Sequence, residues 1–133
     1  MTGFFRHMVL GADDPEAARV FYDATFAAIG VGPGTADPKG RFVYRHKGQL
    51  FIIGRPIDGE KATHANGGTL GFFAPSADAV HAWHAAGLAN GGSACEGDPA
   101  ERVSPATGQP VTVAYLRDPT GNKLCVVYEQ EQA

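Results

Sequence analysis

From Ala18 onward the apolar positions Ala18, Phe21, Tyr22, Phe26 and Ile29, with Thr25 among them, recur at spacings of three and four. This predicts a helix with one buried face. Asp14 ahead of Pro15 supplies a capping carboxylate and a preset first helical residue, and Gly30 provides the stop, so the helix should run from Pro15 to Ile29. Around it the pattern shortens to β-rich runs: Phe4 to Gly11, then Arg41 to His46 and Gln49 to Gly54 about a Lys47-Gly48 turn. Gly32 to Gly40 and the polar stretch Arg55 to Gly68 read as connections. The densest β pattern is Val111 to Glu129, two runs of Val, Tyr and Leu either side of Asp118-Pro119-Thr120-Gly121-Asn122, a hairpin with turn chemistry at its tip. If Arg117 lies opposite Lys123, Tyr115 lies opposite Cys125. Side chains alternate along a strand, so Val113, Tyr115, Cys125 and Val127 should then share one face.

The chain also repeats itself. Slid by 62 residues, His7 to Gly30 overlays Thr69 to Gly92 with only five identities in 24, yet the structural roles agree. Asp14 meets Ser76 as helix cap, Phe21 meets Trp83, Phe26 meets Leu88, and Gly30 meets Gly92. A second helix is therefore predicted from Ala77 to Asn90. Gly91 to Pro110 lacks periodicity and should hold an edge strand and a binding loop before the hairpin closes the second unit. The organisation is α+β: one domain over residues 1–133, with module one at about 4–57 and module two at about 67–129.

Composition narrows the class. A chain of 133 residues, 44% hydrophobic, suits one domain, and a net charge of −3 with scattered Lys and Arg argues against nucleic acid or an anionic membrane as partner. No apolar run reaches the ~18 residues that span a bilayer, and no basic segment with an apolar core opens the chain, so a cytoplasmic protein is expected. Cys95 and Cys125 are too few for a disulfide framework and should be reduced thiols.

The paired βαβββ layout, the opening His-Met-Val-Leu-Gly-Ala-Asp-Asp-Pro-Glu-Ala-Ala-Arg-Val-Phe-Tyr and the closing Asp-Pro-Thr-Gly-Asn-Lys-Leu resemble the vicinal oxygen chelate superfamily over essentially the whole chain. That superfamily includes glyoxalase I, extradiol dioxygenases, fosfomycin-resistance enzymes and bleomycin-resistance proteins, so the resemblance implies a fold before a reaction. It implies a cup-shaped mixed β-sheet with helices on the outer face, a homodimer, and in the enzymes a divalent metal (Zn, Ni, Fe or Mn). That metal is held by side chains from the first and last strands of each module. Carried over residue by residue, the four positions fall on His7, Ile52, Thr69 and Cys125. Ile52 has no donor atom and Thr69 is a poor ligand, which leaves two ligands where catalytic zinc keeps three. No bound metal or other cofactor is therefore expected.

Each candidate residue also has a plainer role. His7 suits a cup-lining imidazole as well as a ligand, and Cys125 suits a small buried hydrophobe as well as a nucleophile. His81 and His84, three apart on the second helix, overlay Arg19 and Tyr22, so one should be solvated and the other should lie at the helix–sheet seam. His46 and His64 fall in or beside loops and could complete a three-ligand set with His7 and Cys125. The aromatics Tyr44, Phe51, Phe73 and Tyr115 matter for ligand only if they face the cup.

Three functions are compatible with these residues. One is a metal-free, bleomycin-resistance-like protein binding a small, partly apolar, oxygen-bearing molecule. The second is a metal-dependent lyase or dioxygenase of the glyoxalase type acting on vicinal oxygens. The third is a cofactor-independent enzyme with His7 as base and Cys125 as nucleophile. By strand parity the binding surface should comprise His7, Val9, Thr69, Gly71, Phe73, Val113, Tyr115, Cys125 and Val127.

Overall fold

The capping residues act as their chemistry dictates. In the computed structural model, which describes residues 3–129, β1 (His7–Gly11) leads into α1 (Pro15–Ala28), where Asp14 Oδ1 accepts the Ala17 N–H at 3.2 Å. Gly30 at φ 88° ends this helix in a conformation that L side chains rarely adopt. The first module continues through β2 (Thr35–Ala36), β3 (Phe42–His46) and β4 (Gln49–Gly54). The second consists of β5 (Leu70–Phe73), α2 (Ala77–Ala89), β6 (Ser93–Ala94), β7 (Ala100–Val103), β8 (Pro110–Arg117) and β9 (Lys123–Glu129). Ser76 Oγ accepts the Ala79 N–H at 3.0 Å and caps α2 as expected.

The α+β arrangement of two βαβββ modules is present, each module with its own mixed sheet. One sheet runs β1-β4-β3-β2 and the other β5-β9-β8-β6, with β7 also on β8. In both, the first strand of the module lies parallel to its last, and the two hairpin strands are antiparallel. The sheets share one apolar core rather than a strand pair: α1 packs on α2, and Phe26 of α1 stacks edge-on against Phe51 of β4 and Phe72 of β5 at 5.4 and 5.1 Å. Tyr44 and Phe51 belong to this core, which removes them from the ligand candidates.

The closing turn ties the modules together. Asp118 is 3% exposed; its Oδ1 accepts the backbone N–H groups of Thr120, Gly121 and Asn122, and its Oδ2 accepts the Tyr22 hydroxyl at 2.5 Å and Asn122 Nδ2 at 2.9 Å. Asn122 Nδ2 also donates to the carbonyl of Gly11 at 3.0 Å. One carboxylate thus anchors the β8–β9 turn to α1, and its partner amide anchors the same turn to the end of β1. Burial, then the Asp118 charge, holds the Tyr22 phenol well above its ordinary pKa, so it remains a donor at any working pH.

The internal repeat loses one residue at the end of the second helix. α2 has 13 residues against 14 in α1, and Gly91 at φ 95° takes the stop role of Gly30, in place of the expected Gly92. On the helix body the 62-residue offset holds, with Ala18, Phe21, Tyr22 and Thr25 matched by buried Val80, Trp83, His84 and Gly87, but Leu88, the predicted match of Phe26, is 46% exposed. His81 is exposed as anticipated. His84, however, is only 7% exposed, and its Nε2 has no hydrogen-bond partner among the described residues, so it does not reach solvent from the seam.

That burial has a pH consequence. Desolvation lowers the His84 pKa, with His81 adding to the effect and Asp98 opposing it. The folded state then binds fewer protons than the unfolded one, so stability is full above the unfolded value of about 6.5 and falls as pH drops through the window below it. Urea midpoints at pH 7.5 and 5.5 should differ more for the native chain than for His84→Leu; equal differences would remove His84 as the cause.

Candidate functional site

Each sheet has one face on the core and one turned away from it, and the register decides which side chains stand on the open faces. In the second sheet Gly71 pairs with Cys125, which pairs with Tyr115, and Phe73 pairs with Val127, which pairs with Val113. The Tyr115–Cys125 register expected from the hairpin is therefore present. These six residues share one face, while Leu116, Leu124 and Val126 on the alternate parity are fully buried against the helices.

The outer edge of this sheet adds residues that the sequence reading missed. β6 and β7 both lie along β8, with Ala94 opposite Leu116 and Ala100 opposite Val113, so residues 95–99 bulge out past Ala114 and Tyr115. Glu96 and Gly97 have φ of 57° and 86° within that bulge. Arg102, opposite Val111, shares the open face and donates from Nη2 to the Tyr115 hydroxyl at 2.6 Å, with its guanidinium carbon 5.5 Å from the ring centroid. Lys123 Nζ lies 5.2 Å from the centroid of the same ring and is ion-paired to Glu96. Parity with Cys125 made Lys123 legible in the sequence. Arg102 was not, because its register follows the bulge.

Cys125 is 7% exposed, and burial, the leading effect, pushes its thiol pKa up despite the opposing Tyr115 hydroxyl and the Arg102 and Lys123 charges. The Tyr115 phenol is likewise raised, chiefly by burial and then by Cys125. Both groups are protonated at neutral pH. Cys95 and Cys125 are free thiols.

The first sheet carries the other half of the expected surface. His7 pairs with Leu50, and Val9 pairs with Ile52, which pairs with Val43, so His7, Val9 and Ile52 share the open face. Ile52 beside Val9 corresponds to Cys125 beside Gly71, which confirms the residue equivalence within the repeat. His7 and Val9 are exposed, and His7 Nδ1 lies 3.0 Å from Arg6 Nη1. His7 and Cys125 stand on different sheets and share no hydrogen bond, so this chain does not form the base–nucleophile pair that the third function needs. Thr69 is exposed just ahead of β5, His46 is exposed at the end of β3, and the His64 ring lies against the Gly121 turn.

The four positions marked by the resemblance thus divide between the two modules, and the donors do not fit a transition metal: Ile52 offers none and Thr69 only a hydroxyl, which leaves two donors where catalytic zinc keeps three. No three His, Cys, Asp or Glu side chains gather at a metal-holding spacing among the described residues. Nor is any described helix long and apolar enough to cross a membrane.

Two tandem βαβββ modules with open sheet faces define a class of fold, and comparison places the chain within it. No family model and no curated protein sequence matches it, but solved structures do. A glyoxalase/bleomycin resistance protein from Albidiferax ferrireducens T118 is 46% identical over 94% of this chain and 98% of its own, with a TM-score of 0.89. The chain belongs to the glyoxalase/bleomycin resistance protein family, within the vicinal oxygen chelate superfamily. A glyoxalase-related enzyme from Fulvimarina pelagi (19% identity, 97% and 89% covered, TM-score 0.68) and a lactoylglutathione lyase from Agrobacterium tumefaciens (22%, 96% and 94%, 0.62) share the fold. Members of the family are often metal-dependent, which makes the donor set at the four positions a departure.

Proposed function

We propose that the protein binds a small, partly apolar, oxygen-bearing molecule on its open sheet faces, and that two copies together close the cup. The observation that carries this is the open face of the second sheet. There exposed Phe73 and Gly71 and half-buried Val127, over the buried Val113 and Cys125, make an apolar surface beside one phenol and one guanidinium. Replacement of donors by Ile52 and Thr69 favours binding over metal-assisted chemistry, and the neutral thiol of Cys125 disfavours covalent catalysis.

Two features support the dimer. Among the described residues β1 and β5 are edge strands, each with one side unpaired by another strand, and Val9 and Phe73 on them are 48% and 80% exposed. Joining the β1 edge of one copy to the β5 edge of another would hide both and bring His7 beside the partner's second-sheet face. An isologous pair of this kind contains two cups.

Methyl NMR with benzyl alcohol as a neutral probe tests the binding surface. Val113 and Val127 methyls should shift at millimolar probe while Leu116 and Val126, on the helix side, stay still; shifts confined to the core, or none, would end this reading. Sedimentation at micromolar concentration should give the mass of two chains, and a one-chain mass would remove the dimer from it.

A further inference from the structure

Arg102 has no carboxylate hydrogen-bonded to it among the described residues, although it stands on the open face beside a ring that also meets Lys123. The nearby carboxylate is Glu96, whose acidity Arg102 increases through space, but Glu96 is held by Lys123. One cation of the cluster is therefore neutralised and the other is not.

The hydrogen-bond directions sharpen this asymmetry. Arg102 Nη2 donates to the Tyr115 oxygen, so the phenolic hydrogen points elsewhere. The neighbour across the strand is the Cys125 thiol, a weak acceptor. A carboxylate placed above Tyr115 would take the phenolic hydrogen on one oxygen and a remaining guanidinium N–H on the other, a charge-assisted pair that the thiol cannot match. Half-buried Val127, with buried Val113 beside it, continues an apolar surface from that point. Glu96, ion-paired to Lys123 in the same cluster, would repel a second negative charge.

We propose that Arg102 and Tyr115 form a carboxylate subsite, and that the ligand class is the small monocarboxylic acid with an apolar body. This rests on the binding surface proposed above and assigns the chemistry of its ligand. Arg102 is the charge-recognising residue and Tyr115 the second donor, oriented by Arg102.

The test compares phenylacetate with its neutral isostere 2-phenylacetamide by methyl and arginine side-chain NMR titration in 25 mM salt. Phenylacetate should bind about tenfold more tightly, a charge-assisted pair against a neutral one. Its affinity should fall at 500 mM salt while that of the amide holds. In Arg102→Gln the preference should collapse toward one, and Tyr115→Phe should reduce it while retaining the salt dependence. Both side chains are outside the core, and an unchanged methyl spectrum of Leu116 and Val126 verifies the fold of each variant. Equal affinities on the Val113–Val127 face would overturn the carboxylate subsite and leave the binding surface standing. An acid preference that survives Arg102→Gln would overturn it as well, since the charge would be read elsewhere. Binding of neither probe would end both proposals.

Discussion

Asp118→Ala should lower the free energy of unfolding by about 3–5 kcal/mol, because it strips a buried, fully satisfied carboxylate of all its bonds at once. The loss leaves the Thr120 and Asn122 N–H groups and the Tyr22 hydroxyl without their acceptor, and it removes one of the two acceptors of the Gly121 N–H and of the Asn122 amide. For a domain whose total stability is expected at ~5–15 kcal/mol, that is enough to unfold a large fraction of molecules near 37 °C. Tyr22→Phe removes one donor and leaves the carboxylate with four, so its cost should be nearer 1–2 kcal/mol, about that of one charged hydrogen bond. Urea unfolding of the two variants measures the contrast. A loss below about 1 kcal/mol for Asp118→Ala would mean that the clamp is incidental to stability.

Gly87→Val should cost about 3 kcal/mol, at the upper end of overpacking in a closed core. Gly87 sits where α2 crosses α1: a Cβ there would run into Leu116 Cδ1 and lie 3.2 Å from Phe21 Cε1 and 3.4 Å from Thr25 Cγ2. Leu116, Phe21 and Thr25 are each 0% exposed, so none can retreat into solvent. An alanine at the same point gains about 1 kcal/mol of helix propensity, which offsets part of its own clash. Gly87→Ala should therefore fall well short of Gly87→Val. If both unfold at the native urea midpoint, the helices can separate without cost and the shared core is looser than its geometry implies.

The residue at this crossing shows where reading by pattern stops. A fixed 62-residue offset matched Phe26 with Leu88, because spacing alone does not reveal that α2 is one residue shorter than α1. Gly87 instead matches Thr25, and the space it keeps open is filled by Phe21 and Thr25 of α1. Capping was legible on both helices because it is decided within four residues: Asp14 and Ser76 each bond the N–H three positions on.

The site divides the same way. Tyr115 opposite Cys125 followed from a short turn and the two-residue alternation of strands, and the register agrees pair by pair down to Arg117 and Lys123. Arg102 was hidden because a bulge separates β6 from β7, and nothing in residues 95–99 states how many of them the neighbouring strand skips. Tyr44 and Phe51 read as possible ligand contacts and are core, because an aromatic on a strand suits either face until the helix side is known.

By itself the sequence determined the α+β class, the repeat, the helix caps and the hairpin register, and through the family resemblance it marked His7, Ile52, Thr69 and Cys125. All of these are set by contacts within a few residues or by the chemistry of one side chain. Tertiary structure alone decided that the strands form two sheets around a shared helical core, that Asp118 bonds Tyr22 across 96 residues of chain, and that Arg102 rests on Tyr115. The physical reason is that periodicity states which way a side chain points, whereas its partner depends on how long connections close, and many closures have nearly equal entropic cost.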